Sequence, residues 1–389
     1  MVAVETFCWL CGALVVYTYL VYPGLLVVFN NLVRRERKVG PVRATVSFLI
    51  PVHNEEQHLE RRLDELTRQL GASGLAGEII VISDASTDRS VEIAGRFANR
   101  GVRVVQQTTK QGKAAALNAG AAEARCELLI FADARQRWAD DALVRLVENF
   151  ADESVGAVSG DLALESSPGV LAGVGLYWQF EKWLRKQESK LGSQVGVTGA
   201  IAAVRRTLFR PIPPGTLLDD VYWPMHVVLQ GKRVVHDERA VAFDRLPDDP
   251  RDEFRRKVRT LAGNFQLLTL LPGSALLPWR NDVWGQWLSH KLFRLAVPWA
   301  LLGMLISSAV LSASVDYRIF LVLQVAAYGF ALIGLMPDVA RSVKPLGAAA
   351  SFLVLNAAAM LAFWVWITGR AGQTWHKAAY QEQAPPPAG

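Results

Sequence analysis

Two kinds of apolar segment alternate along the chain. Four long stretches carry no charge at all: Phe7–Val33, Leu295–Val315, Ile319–Pro337 and Leu346–Gly369. Each is long enough to cross a hydrocarbon core of about 30 Å as a helix. Between the first and the second, the pattern changes to short β-rich runs followed by helical spacing. "ATVSFLIPVHNEE" reads as a strand ending at Pro51 and a loop, and Leu59 to Leu70 follows with helical periodicity. "GEIIVISDASTDRSVEIAGRFA" repeats the theme, with a strand at Glu78–Ser83, a polar turn and a helix that Ser86 or Thr87 caps. "VRVVQQ" is a third strand, "GKAAALNAGAAEA" a helix and "ELLIFAD" a fourth strand. Such alternation, with nearly continuous apolar strands, predicts a parallel sheet covered by helices on both faces. Further strands are expected at Val155–Gly160 and Val195–Val204, with a helix around Val170–Lys186 between them. Helices from Leu217 to Gly231 and from Arg251 to Leu271 complete the middle of the chain.

These segments divide the 389 residues into an anchor at 1–33, an α/β domain at 34–278, an amphipathic helix at 279–294, three crossings within 295–369 and a tail at 370–389. The middle domain, at roughly 245 residues, is large enough to bury a core of its own. In the amphipathic segment Trp279, Val283, Trp287 and Lys291 recur four apart, with Trp284 and Leu288 beside them. That spacing predicts a helix in the membrane interface with its rings at headgroup depth; packing against the domain is the alternative. The tail ends in "QEQAPPPAG", a composition that forms no core.

Composition adds sidedness and removes some partners. With 51% hydrophobic and 20% charged residues, the chain is neither an ordinary soluble protein nor membrane throughout. Only Glu5 precedes the first stretch, whereas Arg34, Arg35, Arg37 and Lys38 follow it, which predicts an uncleaved anchor and a cytoplasmic middle domain. Three later crossings would then put the C-terminus outside. The net charge of +6 is spread along the chain without a nucleic-acid-binding motif, so the expected partner is the lipid bilayer and not DNA or RNA. Cys8 and Cys11 in "CWLC" have redox or zinc spacing, but they lie in an apolar helix without other ligands, where packing is the simpler role.

Candidate chemistry gathers at strand ends, where open parallel sheets bind ligands. His53, Asn54 and Glu55 follow the first strand, Asp84 and Asp88 the second, and Asp133 the fourth. Turn capping explains any single aspartate equally well; acids at three neighbouring strand ends point to a site. Lys110 and Lys113 flank a glycine turn before a helix, an arrangement that suits a phosphate. The patterns GxxxxGK[ST] and GxGxxG are absent, which leaves P-loop and dinucleotide chemistry without support.

The segments "VSFLIPVHNEE", "IIVISDASTDRS", "GKAAALN", "LLIFADA", "VTGAIAAVRRTLF" and "LLDDVYWPMHVVLQGKRVVHDERAVAF" occur in this order. Together, over about Thr45 to Gly263, they resemble the processive-type family 2 glycosyltransferases, the group of the cellulose, chitin, hyaluronan and poly-N-acetylglucosamine synthases. The resemblance implies a GT-A fold, Rossmann-like with a mostly parallel sheet, a nucleotide-sugar donor that is usually UDP-linked, and inversion at the anomeric carbon. It places Pro51, Asn54, Glu55 and Asp84 around the nucleoside and Lys113 near the base or diphosphate. Asp133 matches the first acid of the family's Asp-x-Asp, which contacts the donor and a metal, Mg²⁺ or Mn²⁺. Asp220 matches the general base, with helix capping as its alternative role, and Gly199, Ala200, Arg205 and Asp219 fall on the acceptor side.

Two departures stand out. Arg135 occupies the position of the second acid of Asp-x-Asp. A guanidinium there is expected to grip a phosphate in a two-pronged contact and reduce metal dependence; pairing with Asp140 or Asp141 is the alternative. In the family's Gln-x-x-Arg-Trp, Arg256 replaces the glutamine, Arg259 keeps the arginine and Thr260 replaces the tryptophan. The function implied is an inverting transferase in a bacterial inner membrane, multi-pass, moving a sugar from a cytoplasmic UDP-sugar to a growing polysaccharide, with the last three crossings as a channel. Transfer of one sugar to a lipid-linked acceptor, and a degenerate non-catalytic subunit of a glycan export complex, are the other readings. The sequence names neither the sugar nor a secretion partner.

Overall fold

The computed structural model describes residues 1–33, 35–165, 172–245, 250–336 and 343–369; the expected tail at 370–389 lies outside them. The chain opens with helix α1 (Val2–Leu32). Strands β1 (Val46–Val52), β2 (Gly77–Asp84), β3 (Val102–Gln107) and β4 (Leu128–Ala132) then form the parallel array β3-β2-β1-β4. Helices α2 (Glu56–Ser73), α3 (Ser90–Gly95) and α4 (Lys113–Glu123) are the crossovers. The apolar runs of the strands explain the layering. Phe48 and Ile50 of β1 face a core with Leu59, Leu63 and Leu66 of α2, while Leu49 faces Ala116 and Leu117 of α4 on the other side.

The second half is mixed. After β5 (Arg137–Trp138) and α5 (Ala142–Val147) come β6 (Val155–Glu165), α6 (Ala172–Leu191), β7 (Ile201–Arg205), α7 (Asp219–Leu229), β8 (Arg233–Arg245) and α8 (Pro250–Leu270). The full order is β3-β2-β1-β4-β7-β6-β8-β5, with β7 antiparallel to β4 and β6, and β5 antiparallel to β8.

Two expectations change, and one strand is added. The strand expected from Val195 begins only at Ile201, because the residues before it cross the start of α7 and not a neighbouring strand. There Val197 N–H donates to the Asp220 carbonyl at 2.7 Å, and Gly196 at φ +83° leaves no room for a side chain, since a Cβ would lie 3.1 Å from that same oxygen. Strand β8 carries charges at its centre that hide its pattern: Gly160 pairs with Asp237 and Asp161 with Val241, so Glu238, Arg239 and Ala240 form a bulge. Neither Ser86 nor Thr87 caps α3, whose N-cap residue is Arg89; Asp88 ties down its approach, Oδ1 accepting from Ser90 N–H at 2.9 Å and Oδ2 from Glu56 N–H at 3.0 Å.

Helices α9 (Trp284–Val310) and α10 (Val315–Ile333) follow, and α11 (Lys344–Ile367) closes the described chain. With α1, this makes four helices among the described residues that are long and apolar enough to cross a membrane. Of the separate interfacial helix expected at 279–294, residues 284–294 are instead the first turns of α9 and residues 279–283 precede it as turns. Trp279 is 74% exposed, but Trp287 is 1% exposed and belongs to a core that includes Val195, Val197 and Val221, so packing on the domain wins for that ring. The opening of α9 is π-helical from Trp287 to Leu292, as is α1 from Tyr17 to Val21, and the two segments meet where Tyr17 Oη hydrogen-bonds Ser289 Oγ at 2.9 Å. Cys11 is buried in α1 beside Gly303 of α9, which agrees with packing.

Candidate active site

The site grows from the carboxyl ends of β1, β2 and β4. Asn54 and Ala85, just past β1 and β2, have φ of +55° and +53°. Left-handed backbone is unfavourable for alanine and clusters where structure serves function. Asn54 Oδ1 accepts from Thr87 N–H at 2.8 Å, Glu55 N–H donates to Ser90 Oγ at 2.9 Å, and His53 Nδ1 meets the Asp84 carbonyl at 2.7 Å. The two strand ends are thereby locked together. Asp84, 3% exposed, turns its carboxylate to the next connection: Oδ1 accepts from Gln111 N–H at 2.6 Å and Oδ2 from Gly112 N–H at 2.8 Å. That clamp, with Gly112 at φ +89°, aims Lys113 at the top of α4.

Lys113 Nζ reaches across to Asp133 Oδ1 at 2.8 Å. Gly199 closes in from the loop before β7: a Cβ there would be 3.5 Å from Lys113 Nζ and 3.8 Å from Asp220 Oδ2. Pro51, Lys113, Asp133, Gly199, Asp219 and Trp223 line a cavity of about 10 Å³, room for one water. A donor must therefore lie over these residues and not within them.

The charges are unequal in a useful way. Burial works against the Lys113 ammonium, yet Asp133, Asp219 and Asp220 outweigh it and hold it above the usual lysine range, so it stays positive. Burial first, and the Asp219 charge second, push the Asp220 carboxyl up to about 6, against the pull of Lys113, Arg185 and Lys291. Its Oδ1 is buried without a hydrogen-bond partner. A carboxylate with raised proton affinity and an unused oxygen is suited to take a proton. α8 fixes its position: Gln266 Oε1 accepts from Leu217 N–H at 2.9 Å, and a Cβ on Gly263 would come within 2.6 Å of Leu218, so only glycine lets the helix approach this loop.

Other expected residues lie elsewhere or are otherwise engaged. Ala200 follows Gly199, and its carbonyl accepts from Trp138 Nε1 at 3.0 Å. Arg205 pairs in register with Leu128, at the opposite end of β4 from Asp133, and donates to the Val155 and Phe150 carbonyls at 2.9 and 3.0 Å. It secures the far side of the sheet. Arg256 Nε donates to Glu253 Oε2 at 2.7 Å, and Arg259 lies one turn on along α8. Thr260 bonds back to the Arg256 carbonyl at 3.0 Å and offers no ring for a sugar to stack on.

Arg135 holds Asp244, and neither Asp140 nor Asp141: Nη1 lies 2.6 Å from Oδ1 and Nη2 2.9 Å from Oδ2. The two-pronged contact expected for a phosphate is made here to a carboxylate of β8, a residue that carries no motif signal. Asp244 is 7% exposed. Arg135→Ala would leave it with Gln136 Nε2 at 3.0 Å and the Arg245 N–H at 2.7 Å. The expected result is a loss of about 1.5–3 kcal/mol of stability, seen as a lower Tm, with the donor KM changed by less than about threefold. A large rise in donor KM at unchanged Tm would instead put the guanidinium on the donor.

Among the described residues no group of three or more His, Cys, Asp or Glu side chains is placed to hold a metal ion. Asp133, the expected ligand for Mg²⁺ or Mn²⁺, is paired with Lys113. Asp133, engaged by Lys113, and Asp219 line the same small cavity, and two carboxylates fall short of the oxygen set such ions require, so the residues present do not by themselves fit a divalent ion.

The sheet and its strand-end site have the GT-A arrangement. Residues 47–212 match the family model for glycosyl transferase family 2. The poly-beta-1,6-N-acetyl-D-glucosamine synthase of Staphylococcus epidermidis is 25% identical over 232 residues, covering 57% of this chain and 55% of that protein. The enzyme of the same name from Staphylococcus aureus strain COL is 24% identical over the same length and shares. The chain thus spans about half the length of the curated relatives it matches. Among solved structures, the mannosyltransferase PcManGT from Pyrobaculum calidifontis, in complex with GDP-Man and Mn²⁺, aligns with a TM-score of 0.69 at 22% identity, covering 94% of this chain and 99% of that one. The shared fold therefore includes the terminal apolar helices.

Proposed function

We propose that the protein is a membrane-bound inverting glycosyltransferase that moves a sugar from a UDP-sugar to a hydroxyl of a growing glycan in exopolysaccharide synthesis. The observation that carries this is the placing of Asp220, with its raised pKa and unpartnered Oδ1, across Gly199 from the Lys113–Asp133 pair. The donor diphosphate lies against Lys113 and the turn that Asp84 holds, where the charge leaving the anomeric carbon meets a fixed cation. Asp220 takes the acceptor's proton from the opposite side, as inversion in one displacement requires. The expected Mg²⁺ or Mn²⁺ would meet Asp133, and no step here depends on a metal.

The polysaccharide synthases matched by sequence support the polymer reading. Thr260, which gives a sugar nothing to stack on, favours a second one: a single sugar added to a lipid-linked acceptor. Product length separates the two. The domain is placed in the cytoplasm because Arg35, Arg37 and Lys38 follow α1; an external signal from a reporter fused near residue 150 would overturn that. The central test is nucleoside diphosphate release by the purified protein from a panel of UDP- and GDP-sugars with glycan and lipid acceptors. Release from a UDP-sugar is expected. No release from any donor would leave a non-catalytic subunit of an export complex.

A further inference from the structure

The loop before β7 is held from the far edge of the sheet. Thr198 to Ile201 form a turn, closed by Ile201 N–H on the Thr198 carbonyl at 3.0 Å, with Gly199 and Ala200 at its centre. Its first limb is tied down by Val197 N–H on the Asp220 carbonyl at 2.7 Å and by Thr198 N–H on Ser159 Oγ at 2.9 Å. The Ala200 carbonyl is held at 3.0 Å by the indole N–H of Trp138, from the edge strand β5. Three side chains spaced four apart on α2 fix the segment that carries this buried ring. Arg61 Nη2 donates to the Arg135 carbonyl at 2.7 Å, Glu65 Oε1 accepts from Trp138 N–H at 2.9 Å, and Gln69 Nε2 donates to the Ala139 carbonyl at 3.0 Å. Arg62 lies against the ring itself, its guanidinium carbon 4.8 Å from the ring centre. It is wholly buried and pairs with Glu65, yet its Nε and Nη2 have no hydrogen-bond partner. A buried guanidinium with two unused donors costs stability that an apolar side chain of the same volume would not. What the charge supplies here is a better indole donor: a cation on the ring face draws electron density from the ring and polarises its N–H.

We propose that Trp138 is a positioning residue for the transfer: its indole N–H, backed by Arg62, fixes the Ala200 carbonyl and so keeps Gly199 between Lys113 and Asp220. The inference rests on Asp220 acting as the base. A Cβ on Gly199 would lie 3.5 Å from Lys113 Nζ and 3.6 Å from Asp220 Cβ, so the backbone of this turn is the spacer between the ammonium and the base. Lys113 is thereby left to Asp133, at 2.8 Å. With the turn released, Lys113 closes on Asp220, and an ammonium paired with the base lowers its affinity for the acceptor's proton. The other charges that act on Asp220, those of Asp219, Arg185 and Lys291, are untouched by a change at Trp138.

The experiment follows UDP release against pH for the full-length protein in detergent, as wild type, as Trp138→Phe, and with Trp138 replaced by its benzothienyl analogue. The analogue keeps the shape of the indole and has sulfur in place of the N–H. Both changes should lower kcat about fivefold to tenfold, leave the donor KM within about twofold and move the acid limb of the rate down by about half a pH unit or more. Arg62→Met combined with Glu65→Gln removes the cation and keeps an acceptor for Trp138 N–H; it should act in the same direction, by about twofold in kcat. Wild-type kcat and an unmoved limb in the benzothienyl protein overturn the proposal, whatever Trp138→Phe does. A lower kcat with the limb unmoved also overturns it, because a ring that only fills the core leaves the charges at the base as they were. If the limb survives in the residual activity of Asp220→Asn, the reading of the base fails and takes this inference with it; if Asp220→Asn abolishes the limb and the benzothienyl protein leaves it in place, this inference fails alone.

Discussion

Asp220→Asn is expected to lower turnover by about two to four orders of magnitude, the scale of a lost general base, while donor KM hardly moves. The amide keeps the shape and hydrogen-bonding reach of the carboxylate but cannot take a proton. The wild-type rate should rise with pH through about 6, where Asp220 loses its own proton, and fall tenfold per unit below it. The same shift has a cost in stability. Because the folded protein binds this proton more tightly than the unfolded chain, whose aspartates titrate near about 4, stability declines as pH rises from about 4 to about 6, and the full penalty remains above that. Asp220→Asn removes it, so the inactive variant should melt a few degrees higher at neutral pH. A variant that loses activity and Tm together, or one whose UDP affinity falls as far as its turnover, would mark Asp220 as a helix cap or a pocket wall.

His290→Ala should be among the most destabilising single changes. The ring is 1% exposed and spans two glutamates, with Nδ1 at 2.8 Å from Glu188 Oε1 and Nε2 at 2.8 Å from Glu181 Oε1. Both ring nitrogens face carboxylates. Glu188 is wholly buried and also accepts from Tyr22 Oη of α1 at 2.6 Å. Removing the imidazole leaves Glu188 with the Tyr22 hydroxyl and Glu181 with Arg294 as their remaining hydrogen-bond partners; a broken buried pair costs about 3–5 kcal/mol and should appear as a much lower thermal midpoint in detergent. Adding Glu188→Gln should recover part of the loss by removing one buried charge. Wild-type melting of His290→Ala would show that the glutamates are hydrated and the network contributes little.

The donor half was legible in the sequence because each part of it is local. Apolar runs give β1 to β4, and the acids that follow them fall at the sheet's working edge whatever the rest of the chain does. The acceptor half was less so. Asp220 was found through its motif, but the residues that fix it, Gly196, Gly263 and Gln266, act through contacts between distant segments that no periodicity records. The bulge in β8 broke the alternation that marks a strand, and with β8 went Asp244, so the partner of Arg135 could not be foreseen. Arg205 misled for the opposite reason: it neighbours site residues in sequence, yet an antiparallel strand of five residues carries it to the other end of the sheet. Trp287 kept the four-residue spacing of an interfacial ring and was buried all the same, since periodicity gives a face and not what covers it.

The ion network between α6 and the apolar helices also bears on where this protein can be cut. The family match ends at residue 212, seven residues short of Asp219, and a soluble fragment running from about residue 34 to about residue 278 would contain every residue around the donor. Such a fragment would also carry Glu181 and Glu188 without His290, Arg294 and Tyr22, and a core that has lost Trp287. The boundary drawn by homology therefore cuts across a buried ion network, and excision for solubility would remove counter-charges that Glu181 and Glu188 draw from the apolar helices.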